Sequence, residues 1–184
     1  MNSISKWLVV LAISMIGAGC VAPIRYEGTY QGRVVDEETR EPIEGAVILA
    51  TWHRHHDNLA GGYHTFYDAR ETVTDKKGEF EMPGMGLLLF SNIEKMEMMA
   101  YKAGYGYRNG SWESFKTGIS GRKYIKWEGD KAIVPIRKLT VEERRLQMVP
   151  SPPDDAKKEK IQLMIDEINK DRVATGFEPI KIGR

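Results

Sequence analysis

Cysteine is almost absent from this sequence: Cys20 is the only one in 184 residues. No disulfide can therefore form within the chain. Neither sign of charge is in excess, since 27 Lys and Arg residues stand against 26 Asp and Glu residues, for a formal charge of +1. Binding to nucleic acid needs clustered positive charge, so we expect no nucleic-acid partner.

The sequence also lacks an apolar run that could span a bilayer, which takes about 20 residues. Lys6 is followed by the apolar run WLVVLAISMI and then by GAGC, which ends at Cys20. A basic residue, a short apolar run and small residues, in that order, are typical of a secretory signal peptide. We therefore predict a signal peptide over residues 1–19.

GAGC at residues 17–20 resembles the lipobox of bacterial lipoproteins. The resemblance implies cleavage before Cys20, lipid on its thiol and an acyl chain such as palmitate on its new amine. Val21 follows, and the absence of Asp there favours the outer membrane in the enterobacterial sorting rule. Several acyl chains anchor stably, because each buried CH₂ contributes about 0.8 kcal/mol. The alternative is ordinary secretion with cleavage after Ala22.

Short strand-like segments separated by turn formers dominate the middle of the chain. YQGRVVD (30–36) and GAVILATW (45–52) are rich in β-branched and apolar residues, and we expect them to pair antiparallel. Residues 71–82 read as a hairpin around DKKG. Two further strands are expected within 97–105 and 131–139. This spacing favours a mainly β, antiparallel sandwich.

The C-terminal residues 140–184 instead carry helical signals. Thr140 and Glu143 have the spacing of a capping box, which predicts a short helix from Val141. A second helix is predicted from apolar residues that recur on one helical face. They are Ile161, Met164, Ile165 and Ile168. We expect this helix to pack on the sandwich and the tail after Gly176 to be loosely held.

Three blocks of residues carry a resemblance to a known domain family. The first consists of Gly32, Val34, Asp36, Thr39, Pro42, Ile43, Gly45, Ala46 and Ile48. The others are Thr74, Asp75, Gly78 and Phe80, and then Lys102, Gly104 and Tyr105. In this order and spacing they resemble the carboxypeptidase regulatory-like domain. Arg40 stands where that family commonly has Gly, which predicts another turn geometry there.

The resemblance implies a transthyretin-like, seven-stranded sandwich in which these residues build turns and core. Such domains are usually non-catalytic spacer or interaction modules. No histidine is followed by Glu in the His-x-x-Glu spacing of a zinc carboxypeptidase, and no phosphate-binding loop or dinucleotide fingerprint occurs. We therefore expect neither an enzyme nor a cofactor.

An aromatic, glycine-rich insertion at residues 104–129 is the first candidate site. Six aromatic residues alternate there with basic ones, and Asn109-Gly110 is a turn signal. Exposed aromatics beside cations suit sugar rings, peptides or a protein partner, so Trp112, Tyr124 and Trp127 are candidate ligand-binding residues. The alternative is an extra hairpin whose aromatic side chains cover the sandwich.

The histidine-rich stretch WHRHHDNLAGGYH is the second candidate site. His53 and His55 would share one face of a strand, and Asp57 or His64 could add a third metal ligand. The alternative is a polar, solvated strand end, and from the sequence alone we assign no metal ligand.

Together these features predict a lipid-anchored, periplasm-facing envelope protein whose sandwich is a non-catalytic binding or structural module. Its expected partners are the membrane, through Cys20, and an envelope protein or glycan. Metal binding by the His53/His55 cluster and peptidoglycan binding remain alternatives. The predicted parts are a signal peptide (1–19), a lipidated tether (20–28), the sandwich (29–139) and a helical extension (140–184).

Overall fold

The computed structural model describes residues 24–58, 61–117, 125–147, 152–153 and 155–181. The predicted signal peptide, Cys20 and Tyr124 lie outside these residues. The strands are β1 (Arg25–Glu27), β2 (Tyr30–Asp36), β3 (Val47–Asn58), β4 (Gly61–Val73), β5 (Glu79–Met82), β6 (Gly86–Leu88), β7 (Glu97–Tyr101), β8 (Arg108–Ser111), β9 (Lys126–Glu128) and β10 (Lys131–Ile136). The α-helices are α1 (Trp112–Thr117), α2 (Val141–Leu146) and α3 (Gln162–Ala174), and a 3₁₀ turn covers Lys158–Lys160.

Two four-stranded sheets pack face to face, which confirms the predicted mainly β sandwich. One sheet has the order β5-β2-β10-β9 and the other β4-β3-β7-β8. All neighbours within them are antiparallel except β2 and β10, which run parallel. β1, which lies in the predicted tether, pairs with β6 to form a separate two-stranded ribbon. None of the described helices has the length and apolar character needed to cross a membrane.

The acidic stretch between β2 and β3 is an arch between the sheets. The expectation that these strands pair is wrong, because β2 and β3 belong to opposite sheets. The Asp36 carboxylate accepts the backbone N–H groups of Glu38 and Thr39 at 2.9 and 3.0 Å, which closes the turn. Gly45 then takes a φ of 72°, and the chain crosses to the second sheet.

Three further turn predictions need correction. Arg40 has a φ of 65°, so it adopts the left-handed conformation that glycine would supply rather than another geometry. The segment 71–82 is not a two-stranded hairpin within one sheet, since β4 pairs with β3 while β5 pairs with β2. Asn109-Gly110 lies inside β8, opposite Met99 and Met98, rather than in a turn.

Strand β3 is apolar without interruption over Val47–Ala50 because both of its faces are covered. Ile48, Ala50 and Trp52 point into the core between the sheets. Val47 and Leu49 point the other way, into a second cluster formed with α3. A strand buried on both faces has no need of polar residues at alternate positions.

Helix α3 docks on this outer face as the sequence predicted. Its buried residues Met164, Ile165 and Ile168 join Val47 and Leu49. The Glu71 carboxylate, on β4, accepts the N–H groups of Leu163 and Met164 and so caps the first turn of the helix.

The segments on either side of α3 are also fixed by hydrogen bonds. The predicted capping box at Thr140 is present, with the Glu143 carboxylate accepting the Thr140 N–H. The tail was expected to be loosely held, but its described part, residues 177–181, is fixed at Ile180, whose backbone N–H and carbonyl both bond the Asn169 side chain.

Asp36 supplies a testable link between the arch and stability. The hydrogen bond from the Thr39 N–H holds the pKa of Asp36 below its usual range. Burial raises this pKa in part, and the hydrogen bond from the Glu38 N–H lowers it further. The folded state therefore binds this proton less tightly than the unfolded chain, so the stabilisation is present above about pH 4 and lost as pH falls through the folded pKa. Asp36→Asn should lower the free energy of unfolding at pH 7 and weaken its decline in acid.

Urea denaturation at a series of pH values measures this effect. Glu38→Gln, an exposed neighbour in the same turn, is the control and should keep the wild-type profile. An Asp36→Asn protein with the full acid-dependent loss would contradict this role of the arch.

Candidate functional site

The β3–β4 hairpin extends beyond the covered part of the sandwich. Its residues from Val47 to Trp52 are buried, whereas those from His53 to Asn58 are half-buried or exposed. The outer half therefore presents its side chains to solvent on a scaffold that is continuous with the core. All four histidines of the chain lie in this half.

Three metal-ligating side chains meet on one side of the hairpin. His55 stands directly opposite His64, and their ring centroids are 4.9 Å apart. Nδ1 of His64 lies 2.9 Å from Oε2 of Glu94. One ligand atom from each of His55, His64 and Glu94 lies within 4.8 Å of the others.

Backbone hydrogen bonds fix the loop that carries Glu94. The Glu94 N–H donates to the His53 carbonyl at 2.8 Å, and the His55 N–H donates to the Asn92 carbonyl at 3.0 Å. The Asn92 side chain also donates to the His55 carbonyl. The carboxylate is thus positioned by main-chain bonds to the same strand that carries His55.

The His55 ring is positioned by two further contacts. Its Nε2 lies 3.0 Å from Oδ1 of Asp57, an arrangement that leaves Nδ1 for another partner. The ring also lies directly over Gly62, where an added Cβ would be 2.3 Å from the imidazole Cε1. A larger residue at this position would require the ring to shift.

The candidate metal ligands that the structure brings together are His55, His64 and Glu94, which differ from the predicted pair His53 and His55. His53 packs edge-on against Phe66 and is not one of the three grouped residues. His56 stacks on Tyr63, 4.7 Å between centroids, and bonds Thr65. The sequence indicated His55 and His64 but missed Glu94, because no local pattern joins a residue 30 positions away to the hairpin.

Trp112 and Trp127, the two candidate aromatic residues in the described part of the chain, pack within the fold. Trp112 is only 5 % exposed and belongs to the core between the sheets. Its ring meets Tyr30 and Trp127 edge-on, at 5.1 and 5.3 Å, and the Trp127 indole donates to the Phe115 carbonyl. This packing matches the alternative in which aromatics cover the sandwich. Glycan binding stays a prediction, for which Trp112 offers no open ring face.

A buried carboxylate organises the region beside Trp112. Glu27 is 6 % exposed, and it accepts hydrogen bonds from the Trp52 indole, the Met85 N–H and the Tyr30 hydroxyl. Burial, followed by the hydrogen bond to Glu27, raises the pKa of Tyr30. An open groove of about 450 Å³ runs along this region, lined among others by Glu27, Tyr30 and Trp112.

No protein-family model and no curated protein matches this sequence. Functional assignment therefore depends on the residues of the chain itself. In the described residues, the His55, His64 and Glu94 cluster is the group whose geometry suits a metal ion, while the Glu27 network ties chain segments together.

Proposed function

We propose that this chain is a lipid-anchored protein of the bacterial cell envelope, with a β-sandwich that serves as a non-catalytic binding or structural module. The observation that carries the proposal is the position of Cys20. It follows Lys6, an apolar run and small residues, in the order of a lipoprotein signal. Acyl chains on this residue would supply the membrane attachment.

The use of buried acidic groups supports a structural role for the sandwich. Asp36 closes the arch between the sheets through two backbone N–H groups. Glu167 and Asp171, on α3, accept the N–H groups of Ala103 and Gly104 at 3.0 Å each, and Asp171 also pairs with Arg144. These carboxylates hold chain segments in place.

Outer-membrane location follows from the residue after the modified cysteine. Position 21 is Val, not the Asp that acts as an inner-membrane retention signal in the enterobacterial rule. Removal of the signal peptide takes Lys6 away and leaves 26 basic against 26 acidic residues. A neutral mature chain has no charge excess to attract it to anionic lipid, so attachment depends on the acyl chains.

Expression of the full chain in a bacterial host tests the anchor. Wild type should have the mass of a triacylated chain beginning at Cys20 and should fractionate with the outer membrane. Cys20→Ala should lose both the added mass and the membrane fraction, and Val21→Asp should move the lipidated protein to the inner membrane. A soluble wild-type chain that begins at Pro23 would contradict the proposal.

Metal-ion binding is a second function, favoured by the His55, His64 and Glu94 geometry. Two imidazoles and a carboxylate are a known ligand set for Zn²⁺, which prefers tetrahedral sites with bonds of about 2.0–2.2 Å. The three groups come from β3, β4 and a loop bonded to β3, so their backbones are already fixed. Asp57 would act as the carboxylate partner that orients the His55 ring.

Titration calorimetry with Zn²⁺ tests this second function. The full chain carrying Cys20→Ala is the background, because it removes the one thiol. We expect one Zn²⁺ per chain. His55→Ala, His64→Ala and Glu94→Gln should each lower the affinity at least about tenfold, because the loss of a metal ligand should cost no less than the loss of an outer-shell partner. His56→Ala, on the same hairpin but bonded to Thr65, is the matched control. Absence of binding, or equal weakening by His56→Ala, would exclude this site.

A further inference from the structure

The β1–β6 ribbon has several exposed apolar side chains on its outer side. Tyr26 stands opposite Leu87 in the ladder and Arg25 opposite Leu88. Tyr26 is 76 % exposed and Leu87 60 %. Ile24 and Leu89, one residue beyond the paired positions, are 63 % and 53 % exposed.

The inner side of the ribbon carries its charged groups. Glu27 is buried and bonded to Trp52, and the Arg25 guanidinium donates to the carbonyls of Ile93 and Glu94. A two-stranded antiparallel ribbon with one face in water normally turns its apolar residues inward. Leu88 follows this rule and packs inward against the core. Tyr26 and Leu87 do not, because side chains alternate along a strand and the buried Glu27 leaves Tyr26 on the outer side.

Phe90 extends this apolar surface. It follows β6, is 71 % exposed and has a φ of 50°. A non-glycine residue with positive φ is uncommon, and strained backbone is concentrated at functional positions. We define the outer ribbon face as Ile24, Tyr26, Leu87, Leu89 and Phe90. These apolar side chains are exposed to solvent on the two chain segments that form the ribbon.

The position of Cys20 indicates what covers this face. Four residue steps separate Cys20 from Ile24. An extended chain spans at most about 3.6 Å per residue, so their Cα atoms are no more than about 14 Å apart in any conformation. The polar layer of one leaflet is about 5–8 Å thick, since the bilayer is about 40–45 Å across and its hydrocarbon core about 30 Å. The anchor thus keeps the outer ribbon face near the lipid surface.

We infer that the outer ribbon face lies against the lipid surface that holds the Cys20 anchor, so that the sandwich rests on the membrane in one orientation. This inference rests on the proposed lipid anchor. Tyrosine is enriched at membrane interfaces, and Leu, Ile and Phe side chains gain free energy on leaving water. The contact needs no excess of positive charge, which the mature chain lacks.

A fluorescent label at the ribbon tests the orientation. The lipid occupies the Cys20 thiol, so Leu87→Cys leaves one free thiol in the full chain for an environment-sensitive dye. Lys76→Cys is the control, because Lys76 is exposed in the turn before β5, away from the end of β5 that adjoins the ribbon. Both lipidated proteins are placed in phosphatidylethanolamine–phosphatidylglycerol vesicles that contain spin-labelled lipid.

We expect the dye at position 87 to be quenched by the spin-labelled lipid at least several-fold more than the dye at position 76. Equal, weak quenching in protein that carries the triacyl mass and sediments with vesicles would overturn the orientation and leave the anchor intact. Shielding at position 87 that rises with protein concentration and occurs without lipid would assign the face to a second copy and overturn the inference. Protein without the acyl mass would overturn both the anchor and the inference.

Discussion

The buried carboxylate of Glu27 is the interaction on which the position of the ribbon, and with it the outer ribbon face, depends. It lies among apolar side chains and is stabilised by the Trp52 indole, the Met85 N–H and the Tyr30 hydroxyl. An unpaired buried carboxylate would be costly, so these donors must be in place together. They come from three different segments, and Glu27 therefore joins the ribbon to both sheets. Close backbone contact at Gly84, where a Cβ would be 2.5 Å from the Glu27 carbonyl oxygen, requires glycine there.

Strand β3 connects the Glu27 network with the histidine cluster. Trp52, bonded to Glu27, marks the end of its fully buried part, and the histidines begin at the next residue. The His55, His64 and Glu94 cluster thus lies at the solvent-exposed end of a strand whose other half is buried. The loop that receives the Arg25 side chain also carries Glu94, so the ribbon and the histidine cluster share one segment of chain.

Much of the architecture could be predicted from local patterns. Periodicity predicts the strands within 30–36 and 97–105 and the apolar face of α3. Short-range hydrogen bonding predicts the capping box at Thr140. The pairing of the strands could not be predicted in this way. Asp36 and Gly45 indicate a turn, but they do not indicate whether the chain returns to the same sheet. The turn prediction at Asn109-Gly110 failed for a similar reason, because the pairing of β8 with β7 outweighs the turn propensity of this dipeptide. The contacts of Glu94 and Glu27 join distant positions, so no pattern in a single sequence reveals them.

Amide hydrogen exchange in Glu27→Gln tests the role of this carboxylate most directly. The amide has one acceptor oxygen and no charge, so the hydrogen bonds from Trp52 and Met85 become neutral rather than charge-assisted and weaken by about 1 kcal/mol each. We predict exchange at least about fivefold faster at residues 25–27 and 86–88, with unchanged rates in β3 and β7. Glu81→Gln, whose side chain is exposed on β5, should leave all rates unchanged. Uniform acceleration across the sandwich, or none at the ribbon, would contradict the account.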